Sequence, residues 1–223
     1  MNSFSQLENG ILASQEALDN LAKKKNSNFL VLSDSHGSPD MLMSIIEKFG
    51  AKADGIIFTG DGIYDLISVL EKAHHYHSFG KNIPPVVVFV KGNNDPATAS
   101  ATFEKHLVIP SKVVLTAGCR QILITHGHNE GVYYDYSSLE ATAQVYGANA
   151  VLFGHTHVPL EFSGTTYLMN PGSVGYPRHQ SPAGFAILEI LGPNINSIFY
   201  KIAPGEKPYP AFKPYIPEPF YGF

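Results

Sequence analysis

The chain of 223 residues is 44% apolar and 15% charged, enough for one sizeable core and within the range of a single α/β domain. Fifteen basic residues stand against nineteen acidic ones, and Arg120 and Arg178 are the only arginines, a balance that offers no nucleic-acid surface. No apolar run approaches the ~20 residues of a membrane span, no basic-then-apolar leader opens the chain, and a lone Cys119 excludes an internal disulfide or a thiolate zinc knot.

These bounds lead to the expectation of a cytoplasmic protein, with Cys119 as a small buried hydrophobe. Residues 1–27 place Leu7, Ile11, Leu12, Leu18 and Leu21 among polar positions, a spacing that predicts an amphipathic N-terminal helical extension on the main body. The KKK run at 23–25 reads as a solvated helix end. From residue 28 a repeated arrangement begins. NFLVLSDSHGS is a strand running into Asp34, Ser35 and His36, with Ser38 and Pro39 opening a helix that buries Leu42, Ile45, Ile46 and Phe49 and stops at Gly50.

GIIFTGD at 55–61 is a second strand, ending in Asp61 and followed by a helix with Ile63, Leu66, Ile67 and Leu70 on one face. PPVVVFVKGNND at 84–95 is a third, too continuously apolar to be half exposed, ending in Asn93, Asn94 and Asp95. QILITHGH at 121–128 is a fourth. Ser137 and Glu140 form a capping-box pattern for a helix with Leu139, Ala143 and Tyr146 inward, closed by Gly147. AVLFGHTH and TTYLMNPGS supply two more strands, and residues 184–202 read as an antiparallel pair turning at Gly192, Pro193 and Asn194.

Each strand hands over to a loop carrying Asp, His or Asn, and in open α/β sheets such ends gather at one edge. Six stretches therefore converge on one pocket. Ten histidines make an isolated H-x-H pattern unremarkable, and the chain holds three, at His75/His77, His126/His128 and His155/His157. The first lies near a helix end and is read as structural; the others join a set of Asp34, His36, Asp61, Asn93, His126, His155 and His157. These oxygen and nitrogen donors are too many for one tetrahedral ion and suit two divalent ions with open positions.

The motifs SDSHG at 33–37, GD at 60–61, GNND at 92–95, THGH at 125–128, GHTH at 154–157 and NPGS at 170–173 resemble the calcineurin-like metallophosphoesterase superfamily, and within it the YfcE-like phosphodiesterase branch. The resemblance spans residues 28–202, taken as the catalytic core of a single domain covering 1–223. It implies a four-layer αββα sandwich of two mixed β-sheets with a dinuclear centre at its edge. One metal would take Asp34, His36, Asp61 and His157, the other Asp61, Asn93, His126 and His155, with Asp61 bridging. Manganese is the first choice of ion; the donors also admit iron, nickel, zinc or cobalt.

The implied activity is phosphodiester hydrolysis by in-line attack of a hydroxide bridging the two ions on a small phosphate-ester substrate. Much of the superfamily carries histidine after the GN pair, taken to protonate the leaving group. Here that position is Asn94, whose amide donates a hydrogen bond and cannot act as an acid. Asn94, Asp95 and His128 are the candidate catalytic residues, with Asn94 and Arg178 candidates for substrate binding; His128 equally fits a role orienting its neighbour. Phosphomonoester or nucleotide hydrolysis is the alternative within the enzyme class. The other alternative is a scaffold, since the superfamily includes a retromer subunit used mainly for protein contacts.

Residues 203–223 hold six prolines and six aromatics, too aromatic for a loose tail and too rich in proline for a helix or central strand. They are expected to form an arm that covers an apolar groove and contributes to a homo-oligomer.

Overall fold

The computed structural model describes residues 5–205 and 210–218. Two sheets carry the molecule. The first runs in the order β1 (Gln6–Glu8), β2 (Ile11–Leu12), β5 (Val86–Phe89), β4 (Gly55–Phe58), β3 (Asn26–Leu32), β13 (Gly184–Leu191), β14 (Asn194–Ala203), β15 (Ala211–Tyr215). The second runs β11 (Leu160–Ser163), β12 (Tyr167–Asn170), β10 (Ala150–Leu152), β9 (Arg120–Thr125), β8 (Lys112–Ala117). A short ribbon, β6 (Thr98–Ala99) with β7 (Leu107–Val108), stands apart.

Successive strand residues face opposite ways, and here both faces are filled. On β3, Leu30 and Leu32 pack outward under α2 (Pro39–Phe49) and α3 (Ile63–His75), which the single turn α4 (His77–Gly80) follows, while Phe29 and Val31 face the other sheet. On β9 and β10, Ile122, Ile124, Ala150 and Leu152 fill the space between the sheets, and Leu123 and Val151 turn outward to Leu139 and Ala143 of α5 (Ser137–Tyr146). The layers are helices, sheet, sheet, helix, a four-layer αββα sandwich of two mixed sheets. Strands β3, β4 and β5 are parallel, as are β9, β10 and β12, so their C-terminal ends meet at one edge.

Several expectations change in detail. Only Gln15–Lys23 (α1) of the first 27 residues is helical, capped by Ser14, whose Oγ accepts from Ala17 N. Ahead of it β1 and β2 form a hairpin through Asn9 and Gly10, and Ile11 and Leu12 add to the sheet beside Val88 and Val87. Gly10 has φ 79, and a Cβ there would lie 2.6 Å from the Phe89 carbonyl oxygen, so the turn requires glycine.

Cys119 is exposed. It shares with Gly118 the positive-φ tip of the β8–β9 hairpin, a two-residue turn that matches the twist of its strands. The Ser137–Glu140 capping box is not formed: Asp135 Oδ1 accepts from the Ser137 N–H at 2.8 Å and takes over the start of α5. Tyr146 of that helix is exposed, not inward. Part of the C-terminal arm becomes β15, an edge strand that tolerates Pro214. Its Phe212 ring packs edge-on against Phe49 and Phe185 of its own chain. The rest of the arm, 206–209 and 219–223, lies outside the described residues. Among those described, no helix is long and apolar enough to cross a membrane.

Candidate metal centre

The centre lies where the strand ends meet, and its backbone is costly. Asp34 (φ 51), His36 (φ 42), Asp61 (φ 57), His155 (φ 68) and His157 (φ 61) all sit in the left-handed region. Non-glycine residues rarely adopt it, and a cluster of such residues marks a functional loop. The five residues lie in the loops that leave β3, β4 and β10.

His157 Nε2 lies 3.1 Å from Asp34 Oδ1 and 3.3 Å from His36 Nε2. Asp61 Oδ2 is 3.8 Å from His36 Nε2 and 3.6 Å from His126 Nε2, while Asp34 Oδ1 is 3.7 and 3.9 Å from the same two nitrogens. Two triads result, Asp34–His36–His157 and Asp34–Asp61–His126, with each triad's donor atoms within 4.8 Å of one another. Both carboxylates face both triads, so Asp34 shares the central position expected of Asp61 alone.

The tautomers fix what these nitrogens can do. His126 Nδ1 is 2.8 Å from the carbonyl of Thr59, and His157 Nδ1 bonds the carbonyl of Tyr176. A carbonyl only accepts, so each Nδ1 carries its proton, and a ring without a second proton turns a lone pair on Nε2 toward carboxylate oxygens. Lone pair facing lone pair requires a cation between them. Asp34 Oδ1 and His126 Nε2 are buried without a hydrogen-bond partner. These donors fit divalent ions.

Charge follows the same geometry. Burial pushes Asp34 up, but His157 and His36 outweigh it and hold the carboxyl far below the usual range. Asp61 is likewise lowered, burial being outweighed by His126 and Asn94. Asp34 raises His36; His126 rises against its burial through Asp61, Asp34 and the Thr59 carbonyl. Burial and then the charge of His126 bring His155 down to about 4, and the same two causes lower His128.

The remaining candidates are placed less uniformly. The His155 ring stands 5.1 Å from that of His126, centroid to centroid. Asn93 is exposed, and the amide that reaches Asp61 belongs to Asn94, whose Nδ2 donates to Oδ2 at 2.7 Å and whose N–H donates to Oδ1 at 2.8 Å. Asp95 spends its carboxylate on four backbone N–H groups, those of Asp61, Gly92, Gly62 and Ile63, at 2.7 to 3.0 Å. It ties the Asp61 loop to the start of α3. His128 packs 5.4 Å from the His126 ring. Arg178 donates to Tyr133 Oη, which in turn donates to the His155 carbonyl at 2.9 Å.

Sequence reading passes over the braces around the ligands. Asp65 Oδ2 accepts from Ser35 Oγ at 2.6 Å and Gly37 N at 2.8 Å, holding the loop of Asp34 and His36. Ser173 Oγ donates to the Asp34 carbonyl at 2.8 Å, and Asn170 Nδ2 to the Gly154 carbonyl at 2.7 Å. Tyr133 is the other omission. NPGS is the one visible signal, and its Asn and Ser prove to be braces.

Residues 28–192 match the calcineurin-like phosphoesterase superfamily domain, and the chain belongs to that family. The probable metallophosphoesterase YsnB of Bacillus subtilis (strain 168) is 34% identical over 180 residues, covering 80% of this chain and 94% of its own. Phosphodiesterase YfcE of Escherichia coli (strain K12) is 27% identical over 182 residues, 77% of this chain and 95% of its own. The solved structure of vacuolar protein sorting 29 from Cryptosporidium parvum has a TM-score of 0.62 at 21% identity, covering 86% of this chain and 99% of that one, a likeness of fold alone.

Proposed function

We propose that the protein is a metal-dependent phosphodiesterase acting at a dinuclear centre. The observation that carries this is the pair of Nε2 lone pairs on His126 and His157, each fixed by a carbonyl behind it and aimed at the carboxylates of Asp34 and Asp61. Asp34, His36, Asp61 and His157 would hold one divalent ion, and Asp61, Asn93, His126 and His155 the other, with manganese the preferred metal. Two such ions, when bound, acidify water near neutral pH and offset charge on the phosphoryl oxygens.

The chain's own residues do the rest. Asp61, lowered and facing both triads, would offset the charge of two dications. Asn94 sits against it with an amide that orients and cannot protonate. Arg178, held on Tyr133, presents a guanidinium suited to a non-bridging phosphoryl oxygen. Membership of a phosphoesterase family, with relatives named metallophosphoesterase and phosphodiesterase, supports hydrolase chemistry on a small phosphoester; preference for diesters is the proposal.

The test is purified protein assayed for bound metal and for hydrolysis of bis(p-nitrophenyl) phosphate, beside Asp61→Ala. Near two equivalents of metal with turnover, both lost in the variant, are expected. Metal content without turnover on a panel of linear and cyclic diesters would point to a scaffold instead.

A further inference from the structure

Immediately past His157 the surface opens into a groove of about 660 Å³. Two of its walls continue the loops that hold the ligands: Val158 and Pro159 follow His157, and Gln180, Ser181 and Pro182 end the loop whose Tyr176 carbonyl fixes His157. The third wall is Lys201 with Tyr215 and Ile216. β13 runs antiparallel to β3 and β14 antiparallel to β13, so Lys201 reaches the same edge at which Asp34 leaves β3.

This third wall lies beyond the family match, which ends at residue 192. Ile216 is 91% exposed, a large aliphatic side chain left in water on the groove wall. His179 (φ 51) and Gln180 (φ 59) hold left-handed conformations that only Gly adopts freely, and such outliers gather where a loop is shaped for a ligand.

The lining sets the chemistry of the occupant. Pro159, Pro182, Tyr215 and Ile216 offer flat apolar surface, and Gln180 and Ser181 offer an amide and a hydroxyl. Lys201 and Glu218 both line the groove and their opposite formal charges sum to zero, which gives no preference for a second anion. Its volume falls in the range of sites for whole organic ligands and far exceeds what a phosphoryl group needs.

We propose that this groove binds the second ester substituent of a phosphodiester, an uncharged aromatic group with its own hydrogen-bond donors and acceptors, of nucleoside type. The inference rests on the phosphoesterase reading above. It turns the C-terminal strand from an accessory arm into the specificity element of the centre.

Two esters with the same leaving group test it: thymidine 5′-(p-nitrophenyl phosphate) and methyl p-nitrophenyl phosphate. The manganese-loaded protein should favour the thymidine ester by roughly tenfold or more in kcat/KM. Ile216→Ala and Lys201→Met should each cut that ratio several-fold, and together bring it near one. Independently of turnover, saturation-transfer NMR on the metal-free protein should detect thymidine on the native chain and lose it in the double variant. A ratio near one in the native protein, or transfer unchanged in the double variant, overturns the proposal. Thymidine held in the groove with neither ester hydrolysed would instead overturn the phosphoesterase reading and leave the groove standing.

Discussion

His157 Nε2 faces Asp34 Oδ1 at 3.1 Å while its Nδ1 is committed to the Tyr176 carbonyl, so a proton or a metal ion must lie between nitrogen and oxygen. Protons and metals therefore compete at this centre. His36 and His126 are raised above the ordinary imidazole value of 6.5, whereas His155 is lowered to about 4. In the metal-free fold the raised pair stabilises below 6.5 and loses that contribution as pH rises through the higher folded values. His155 acts with the opposite sign, costing stability as pH falls below 6.5. The two act in different pH windows, and above 6.5 metal affinity follows the raised pair, which alone still holds protons there to shed. Apparent manganese affinity should keep rising with pH above 6.5 before levelling. Calorimetry at pH 6.5 in buffers of different ionisation enthalpy should record proton release. Affinity flat from pH 5.5 upward would contradict the assignment.

Asp95 joins four N–H groups from two loops, which makes it a positioning residue rather than a proton carrier. Asp95→Ala should lower stability by about 3 kcal/mol, the scale of losing several charge-assisted hydrogen bonds from a part-buried network. Metal affinity should fall with it, since Asp61 loses the bond to its own N–H. The shape of the pH–rate profile should not change. A profile that loses one limb in Asp95→Ala would restore a direct catalytic role.

Asn94 stands where much of the superfamily carries histidine, and its amide has no proton to give a departing alkoxide. Activated aryl diesters should be hydrolysed far faster than alkyl ones, with a steep dependence of rate on leaving-group pKa. Asn94→His should narrow that gap. A flat dependence in the native protein would mean that another group supplies the proton, and His128, lowered by burial and by His126, is then the residue to change next.

What could be read in advance follows from range. The candidate ligands are legible because the loops that carry them leave apolar strands, and parallel strands deliver their ends to one edge. The braces were not, because Ser173 and the Asp34 carbonyl are 139 residues apart in sequence and nothing local links them. Residues 1–27 misled for a different reason. Helical spacing of the leucines competes with Asn9–Gly10, a strong hairpin signal, and the open edge beside Val87 and Val88 decides for the hairpin. β11, exposed at three of its four residues and without alternation, carries no signal in the sequence. Pro214 argued against a central strand, and an edge strand is what forms.

Gly92 gives a steric test of the centre. A Cβ there would lie 2.0 Å from Asp61 Oδ1, and the room is limited because Asn94 N holds the same oxygen at 2.8 Å. Gly92→Ala should cost about 1–3 kcal/mol of stability, as overpacking does. Its larger effect should be on metal content, because the carboxylate that must yield is the one facing both triads. Unfolding experiments with and without manganese separate the two: the stabilisation by metal should shrink more than the metal-free stability. An unchanged metal increment would show that Asp61 has freedom the structure does not display.

Arg178 and Tyr133 should act as a unit. The guanidinium is exposed and reaches the centre through the Tyr133 oxygen, itself anchored to the carbonyl of the candidate ligand His155. Arg178→Ala should raise KM for bis(p-nitrophenyl) phosphate about tenfold, equivalent to about 1.4 kcal/mol. Tyr133→Phe keeps the ring against His155, 4.8 Å between centroids, and removes only the oxygen that positions the arginine. Its effect should be smaller and of the same kind. The double variant should be no worse than Arg178→Ala alone, because positioning has no value once the guanidinium is gone. Effects that add in the double-mutant cycle would mean that Tyr133 serves the centre through His155 and not through Arg178.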